Sequence, residues 1–482
     1  KTKTFDYAEF ARVVKSELKF NNAFIEHTCM GFSKKEIIEM AQNPERYGKR
    51  ILKLSDYMYR KSGYYKRLID YFANQAVLRY TIDTKLYTDK LSVNKTTLKN
   101  NYIKFLVFAD RLNLSNEIHN ITKAMFKNDV VYAYVDTNGM NNTYYYLDPM
   151  ICEISSLIDG NVYGFYIQKN KISKSKFITL PLALQELLDK SNPPDSRVIV
   201  PYENSLCLKY NNDFVTPYPP FLMMITDIML IDEYKDLTKA QSINDAYKIL
   251  TMKIPTKDGE ITLDDGLITT FTSVVLDTVQ NSIGVITTPF DTSTEEFSSS
   301  NADDRDTVSD AISWAFKNVG VSEALMSGAS SGSELKYSII NDSGDIFRIY
   351  RMIENWVMLQ ANLHKFVYND YRFVYKIIDM TIFNQQDIAD KELSLAQNGI
   401  PNKTRLCAVN NISPVEMLGN SLIENELLAD TFSNWSVLQT SYTQSNGSSD
   451  EGGRPQMDET DLSDSGSNTR ENDTNDKANR DY

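Results

Sequence analysis

Residues 221–250 carry apolar side chains at helical spacing, on a stripe too narrow for a helix buried on all sides. Leu222, Ile225 and Met229 begin the stripe. Leu230, Tyr234 and Leu237 continue it, and Ile243, Tyr247 and Leu250 complete it. Between them, residues 238–242 are polar all round. A helix this long with so thin an apolar face is poorly served inside one globule and is expected to pack against neighbouring copies of itself. Pro219-Pro220 precede it and Ile254-Pro255 break it.

The segments on either side read as a mainly helical α+β chain. Ser33-Lys34-Lys35-Glu36 has the form of a capping box opening a short helix, which Pro44 and Gly48 are expected to close. A longer helical pattern runs from Arg50 to Ala76 around a break at Ser62-Gly63, and another begins near Leu98. From Asp129 to Ile167 the period changes to two: Val131, Ala133 and Val135 alternate with Tyr132 and Tyr134, with turns at Asn138-Gly139 and Asp159-Gly160. That predicts a small antiparallel meander, extended by strands near 197–201 and 205–210. Residues 256–299 read as short β pieces (260–263 and 284–288) around a short helix near 272–279.

A helix is predicted over 303–319, with Asp303, Asp304 and Asp306 in its first turn, where the helix dipole favours anions. Val308, Ile312, Phe316 and Val319 form its stripe, and Gly320 sits where a C-cap glycine belongs. Residues 321–333 form a small-residue loop. A long helix follows over 334–368, with Gly344 inside it predicting a kink. A strand at 373–378 and helices at 386–398, 402–410 and 413–430 complete the series.

The chain has 482 residues and a net charge of −13. From Ser441 onward ten acidic residues face four basic ones, and this Ser/Asn/Asp/Gly-rich tail is expected to be disordered. An acidic balance disfavours broad, static gripping of nucleic acid, though not conduction of it. Lys34 and Lys35, with Arg46, Lys49 and Arg50, make the densest basic region, which reads as a solvated helix face. Cys29, Cys152, Cys207 and Cys407 are scattered and are expected to be reduced apolar side chains. No stretch approaches a membrane span, and no signal peptide is evident. The chain starts on Lys1 rather than Met, so further residues upstream are expected.

No constellation reads as an active site, so no catalytic residue, metal or cofactor is expected. Gly328, Ser330 and Gly332 match a nucleophile elbow, but that motif needs a strand before it and a helix after it. None of His27, His119 and His364 has a motif context. Asp303, Asp304 and Asp306 read as a dipole-matched helix start rather than a metal site. A DNA-processing hydrolase would need paired carboxylates, a His cluster or a phosphate loop. A scaffold or adaptor without a DNA channel is the other alternative.

The order of parts resembles the portal, or head–tail connector, proteins of tailed bacteriophages. The stretch from Asp306 through Val319-Gly320-Val321-Ser322-Glu323-Ala324-Leu325-Met326-Ser327-Gly328 to Gly332-Ser333-Glu334-Leu335-Lys336-Tyr337 is the most similar. Residues 54–73 are similar to the family's wing helices, and 386–430 to its crown. The resemblance implies a non-enzymatic, ring-forming subunit, commonly a dodecamer, in the virion at one capsid vertex, assembled in the host cytoplasm. Double-stranded DNA would be packaged and ejected through it. Its partners would be the large terminase subunit, the major capsid and scaffolding proteins and a head–tail adaptor, with no membrane.

The same resemblance divides the chain into an N-terminal region and wing (1–220), a first stem helix (221–253), a clip (254–299), a second stem helix (300–320) and a tunnel loop (321–333). A kinked helix and wing strand (334–385), a crown (386–440) and the acidic tail (441–482) follow. It makes Ser322, Glu323, Ala324, Leu325, Met326, Ser327, Gly328, Ser330 and Gly332 channel residues, and Lys257, Asp258, Glu260, Asp264 and Asp265 the docking residues of the clip. Asp303, Asp304, Asp306, Asp310 and Lys336 become lumen or stem candidates. The loop itself carries no Lys or Arg, so a basic grip on phosphates at the constriction is not expected.

Overall fold

The computed structural model describes residues 27–87, 94–190, 197–213, 215–246, 248–253, 256–257, 260–261, 266, 270, 283–288, 307–321 and 332–429. The chain divides into two units, 1–417 and 418–482. In the first, α1 (Lys34–Gln42) opens on a reciprocal capping box: the Ser33 hydroxyl accepts the Glu36 N–H, and the Ser33 N–H donates to the Glu36 carboxylate at 2.8 Å. Helix α2 (Pro44–Lys61) follows at once. Pro44 therefore opens a helix rather than only closing one, because its missing N–H is harmless in a first turn. Gly48, expected as a breaker, lies inside α2, where an added Cβ would come 3.2 Å from the Thr216 Cβ. Ser62 caps α3 (Gly63–Gln75) by accepting the Tyr65 N–H at 3.3 Å. The next helical stretch is two helices, α4 (Lys95–Arg111) and α5 (Leu114–Asn128), split at Asn113 with φ of +53°.

Strand β1 (Tyr80–Leu86), which the sequence reading did not include, pairs antiparallel with β12 (Tyr371–Ile377). The larger sheet contains β2 (Val130–Asp136), β3 (Thr143–Tyr146), β4 (Cys152–Asp159), β5 (Val162–Gln168), β6 (Arg197–Ile199) and β7 (Ser205–Lys209), in the order β3-β2-β7-β5-β4 with β6 on β5. The expected meander is thus corrected: β7 is inserted between β2 and β5, and β3 does not pair with β4. Strand β2 shows why. Val131, Ala133 and Val135 face one core while Val130, Tyr132 and Tyr134 face another, so both its faces are covered and a central place suits it. Between β5 and β6 lie α6 (Lys174–Ile178) and α7 (Leu182–Lys190), whose Leu184 and Leu188 close the second core.

Helix α8 (Met224–Ala246) ends short of the expected residue 250. Residues Lys248–Lys253 form β8, parallel to β11 (Ile283–Thr288), and β9 (Thr256–Lys257) pairs with β10 (Glu260–Ile261). Pairing with a strand more than 30 residues on overrides the local helical period. The expected helix near 272–279, residues 300–306 and the tail 441–482 lie outside the described residues. Helix α9 (Thr307–Val319) leads to Gly320, and α10 (Gly332–Leu363) runs through Gly344. It stops five residues before the expected 368: Lys365 has φ of +64°, and the Phe366 N–H returns to the Ala361 carbonyl at 2.9 Å. Helices α11 (Gln385–Gln397) and α12 (Lys403–Val409) are joined by buried Glu392, which lies 2.8 Å from Arg405 and accepts from Asn402 at 2.8 Å. Helix α13 (Pro414–Leu422) is followed, in the second unit, by a π-turn at Ile423–Leu427 in place of the expected helix to 430.

Candidate functional site

The surface with the most distinctive build is the pair α8 and α9 with the segment that leaves it. Ala311 and Ala315, one turn apart on α9, let the helices approach closely around buried Ile231, with Tyr64, Tyr234 and Ile312 at the rim. Phe316, fully buried, meets the Tyr64 ring edge-on at 6.2 Å. Asn318 donates to Asp227 at 3.4 Å, and burial pushes the Asp227 carboxyl pKa up. The polar side of α8 is tied back as well. Glu233 takes Lys34 at 2.6 Å, Asp236 takes His27 at 2.8 Å, and the Lys235 ammonium lies over the Tyr64 ring at 5.3 Å.

Gly320 ends α9 with φ of +82°, which only glycine adopts without strain. The Val321 N–H then bonds to the Phe316 carbonyl at 3.1 Å and the Gly320 N–H to that of Lys317 at 3.0 Å, a Schellman closure. Val321 itself is buried, so the chain leaves for residue 322 from a fixed point.

It returns at Gly332 on the longest helix among the described residues. The beginning of α10 stands clear: Tyr337 and Ile340 are exposed, and Lys336 pairs with Asp387 at 3.1 Å. From Asp342 onward the helix is bolted down in succession. Tyr71 donates to Asp342 at 2.9 Å, and Tyr210 to Asp345 at 2.5 Å. Burial, with the Asp345 charge adding to it, raises the Asp342 carboxyl to about 6. The Tyr350 hydroxyl donates to the Met380 carbonyl at 2.8 Å and accepts the Val77 N–H at 2.8 Å. Buried Trp356 donates to the Ser205 carbonyl at 2.8 Å, and Gln360 to that of Tyr202 at 2.8 Å. The 322–331 segment therefore leaves from a buried end at Val321 and rejoins a helix whose anchoring in the main core begins at Asp342.

The residues singled out from the sequence fall unevenly. Ser322, Glu323, Ala324, Leu325, Met326, Ser327, Gly328 and Ser330 lie outside the described residues, as do Asp258, Asp264, Asp265, Asp303, Asp304 and Asp306. Gly332 is the first residue of α10, and Gly344 is interior to it. Lys257 and Glu260 are backbone partners in the antiparallel register of β9 and β10. Asp310 is exposed on α9. The described residues do not bring the channel, stem and hairpin candidates together into one site.

Two features were not among them. Trp314 is 62% exposed, on the side of α9 away from its Ile312–Phe316 stripe. Leu230 and Leu237 of α8, which the sequence spacing puts on the apolar stripe, are exposed as well, a correction, since Ile231 is the residue buried against α9. The place of Trp314 off the Ile312–Phe316 stripe was the one sequence signal, and a single exposed apolar side chain is ordinary by itself. The other is a buried ion pair, Asp129 to Lys209 at 2.7 Å, whose partners are too far apart in the chain for any spacing rule to find.

Among the described residues no three His, Cys, Asp or Glu side chains gather in a way that could hold a metal. The four cysteines are free thiols, and burial raises Cys29 to about 11. No described helix is long and apolar enough to cross a membrane.

These features define a mainly helical α+β chain with a packed helix pair, α8 and α9, on which Leu230, Leu237 and Trp314 are exposed among the described residues. No protein-family model and no curated protein matches it. Its backbone is similar to a chain in the neck of an empty gene transfer agent particle, computed with C6 symmetry, at a TM-score of 0.39 and 11% identity, over 72% of this chain and 90% of that one. It is also similar to a chain of the native gene transfer agent virion, at a TM-score of 0.35 and 11% identity, over 70% of this chain and 85% of that one.

Proposed function

We propose that this chain is the subunit of a portal-type ring in a tailed-phage virion. Copies encircle an axial passage at one capsid vertex, through which duplex DNA enters during packaging and leaves at ejection. The observation that carries this reading is the α8–α9 pair. Its inner stripe is filled by Ile231, Ala311, Ala315 and Phe316, yet Leu230, Leu237 and Trp314 remain on its outside. Neighbouring copies would cover them. The resemblance of residues 306–337 to the family's stem helix, tunnel loop and following helix supports the same reading.

In a ring, each axis-facing side chain recurs once per subunit. Every added lysine would multiply the phosphate contacts to be broken at each step of transport, so a wall free of cations conducts better. Residues 322–331 contain no Lys or Arg. Exposed Asp310 on α9, and Asp303, Asp304 and Asp306 before it, suit a wall that does not hold DNA. The protein is proposed to work without catalysis, metal or cofactor. ATP hydrolysis would belong to the large terminase subunit docking on residues 254–299, a surface later taken by the head–tail adaptor. Capsid and scaffolding proteins would contact the outside of the ring.

The test is to shorten residues 322–331 while keeping Val321 and Gly332, which bound the segment between α9 and α10. Rings are expected to form normally, with DNA packaging or retention impaired. Wild-type DNA content in mature particles would refute the assignment of this segment to the channel.

A further inference from the structure

The dense basic region of the sequence acquires a geometry in α2. Arg46, Lys49, Arg50 and Lys53 recur at intervals of three and four, so they share one face. All four are exposed, opposite a face that buries Ile51, Leu54, Ser55 and Met58. Two guanidiniums, those of Arg46 and Arg50, rest on the Tyr47 ring at 5.2 and 5.5 Å. Two other elements extend the stripe. Lys171, from the turn after β5, lies near Lys49, whose charge pushes the Lys171 pKa down. Arg197 of β6 lies over the Tyr166 ring at 5.0 Å.

Of these six cations, Lys49 alone is paired with a carboxylate among the described residues, Glu153 at 2.5 Å. This is unusual in a chain of net charge −13, where carboxylates outnumber cations. The arginines are held by aromatic faces instead, which leaves their N–H edges free for a planar anion. The groups form a row rather than a cup. At the helical rise of 1.5 Å per residue, Arg46 to Arg50 and Lys49 to Lys53 each step about 6 Å. A duplex strand carries one charge per roughly 3.4 Å of axis, so the row can address alternate phosphates.

We propose that this stripe on α2, continued by Lys171 and Arg197, is a docking surface for the phosphate backbone of duplex DNA, separate from any axial passage. It reads charge and not sequence, since nothing in it is shaped for base edges.

The test uses the full-length protein and a fluorescent nicked minicircle, which has no end to thread through a preformed ring. Binding is followed by anisotropy across a salt series. The wild type is expected to bind with a steep salt slope. The variant R46A/R50A/K53A removes three exposed, unpaired cations and should melt as the wild type does. Its affinity is expected to fall at least about tenfold, and its log–log salt slope by about 2.7, from three lost contacts. Lys95→Ala with Lys99→Ala, two exposed lysines at the start of α4, should leave both quantities unchanged. No wild-type binding, or a triple variant with wild-type affinity and slope, would overturn the proposal. So would displacement of the minicircle by a polyglutamate peptide at far lower charge concentration than by duplex competitor, which would assign the stripe to an acidic protein segment. Oligomeric state is read in the same samples, so failure of the ring reading and failure of this one are distinguishable.

Discussion

Replacing Asp129 with Ala is expected to cost about 3–5 kcal/mol of stability, because it strands a charged Lys209 in the interior. Both side chains are essentially inaccessible, and their charged atoms are 2.7 Å apart. Asp129 does more than neutralise the lysine. Its carboxylate also accepts the N–H groups of Asn211 at 2.7 Å and Tyr218 at 2.8 Å, fixing the segment that leads from β7 to α8. Burial pushes the carboxyl pKa up, against the pull of the Lys209 ammonium. Since a domain is typically stable by only about 5–15 kcal/mol, one such change removes a large part of the margin.

Asp129 also has φ of +66°, so Ala adds backbone strain, and Asp129→Asn separates the two effects, because Asn tolerates that conformation. The asparagine variant should still lose most of the stability in a urea titration, and adding Lys209→Met should restore a good part of it. A loss below about 1 kcal/mol for Asp129→Ala would show that the pair does not anchor the fold.

Trp314→Glu should act in the opposite sense on the two levels of structure. At 62% exposure the tryptophan supports little within its own chain, so the melting of the isolated subunit should move by no more than about 0.5 kcal/mol. Assembly should collapse. Buried tryptophans are among the commonest interface anchors, each worth about 2 kcal/mol or more when truncated, and a ring repeats the loss at every joint. A glutamate there also buries a charge without a partner. Sedimentation velocity should show subunits where the wild type shows rings, with Trp314→Phe intermediate. Rings of normal size at wild-type concentrations would show that this face of α9 is not the joint.

The sequence carried most of the local devices and few of the distant ones. The Ser33–Glu36 box, the break at Ser62-Gly63 and the Gly320 closure were legible because each is a contract between residues a few positions apart. Strand β1 was not, since only its first three residues are buried and its partner lies nearly 300 residues away. The insertion of β7 between β2 and β5 was invisible for the same reason: alternation says which face a side chain takes and not which strand it faces. At Tyr247 to Leu250 the helical period continues on paper, yet parallel pairing with β11 makes Lys248–Lys253 a strand. Of the candidate site, Ile312 and Phe316 of the α9 stripe were readable, while the α8 stripe lies one residue off its apparent spacing: Ile231, not Leu230 or Leu237, is buried against α9. The cations of α2 were visible as composition, and only the fold shows that they share a face, that Lys49 alone among them takes a carboxylate among the described residues, and that Lys171 and Arg197 lie nearby.

The most direct measurement is electron microscopy of the purified full-length protein with symmetry determined from the particles. The account predicts a closed ring of about a dozen copies around an axial hole wide enough for a double helix, with the α8–α9 pairs side by side in its wall. Compact single subunits at high concentration, or a ring whose centre is filled by folded protein, would contradict it.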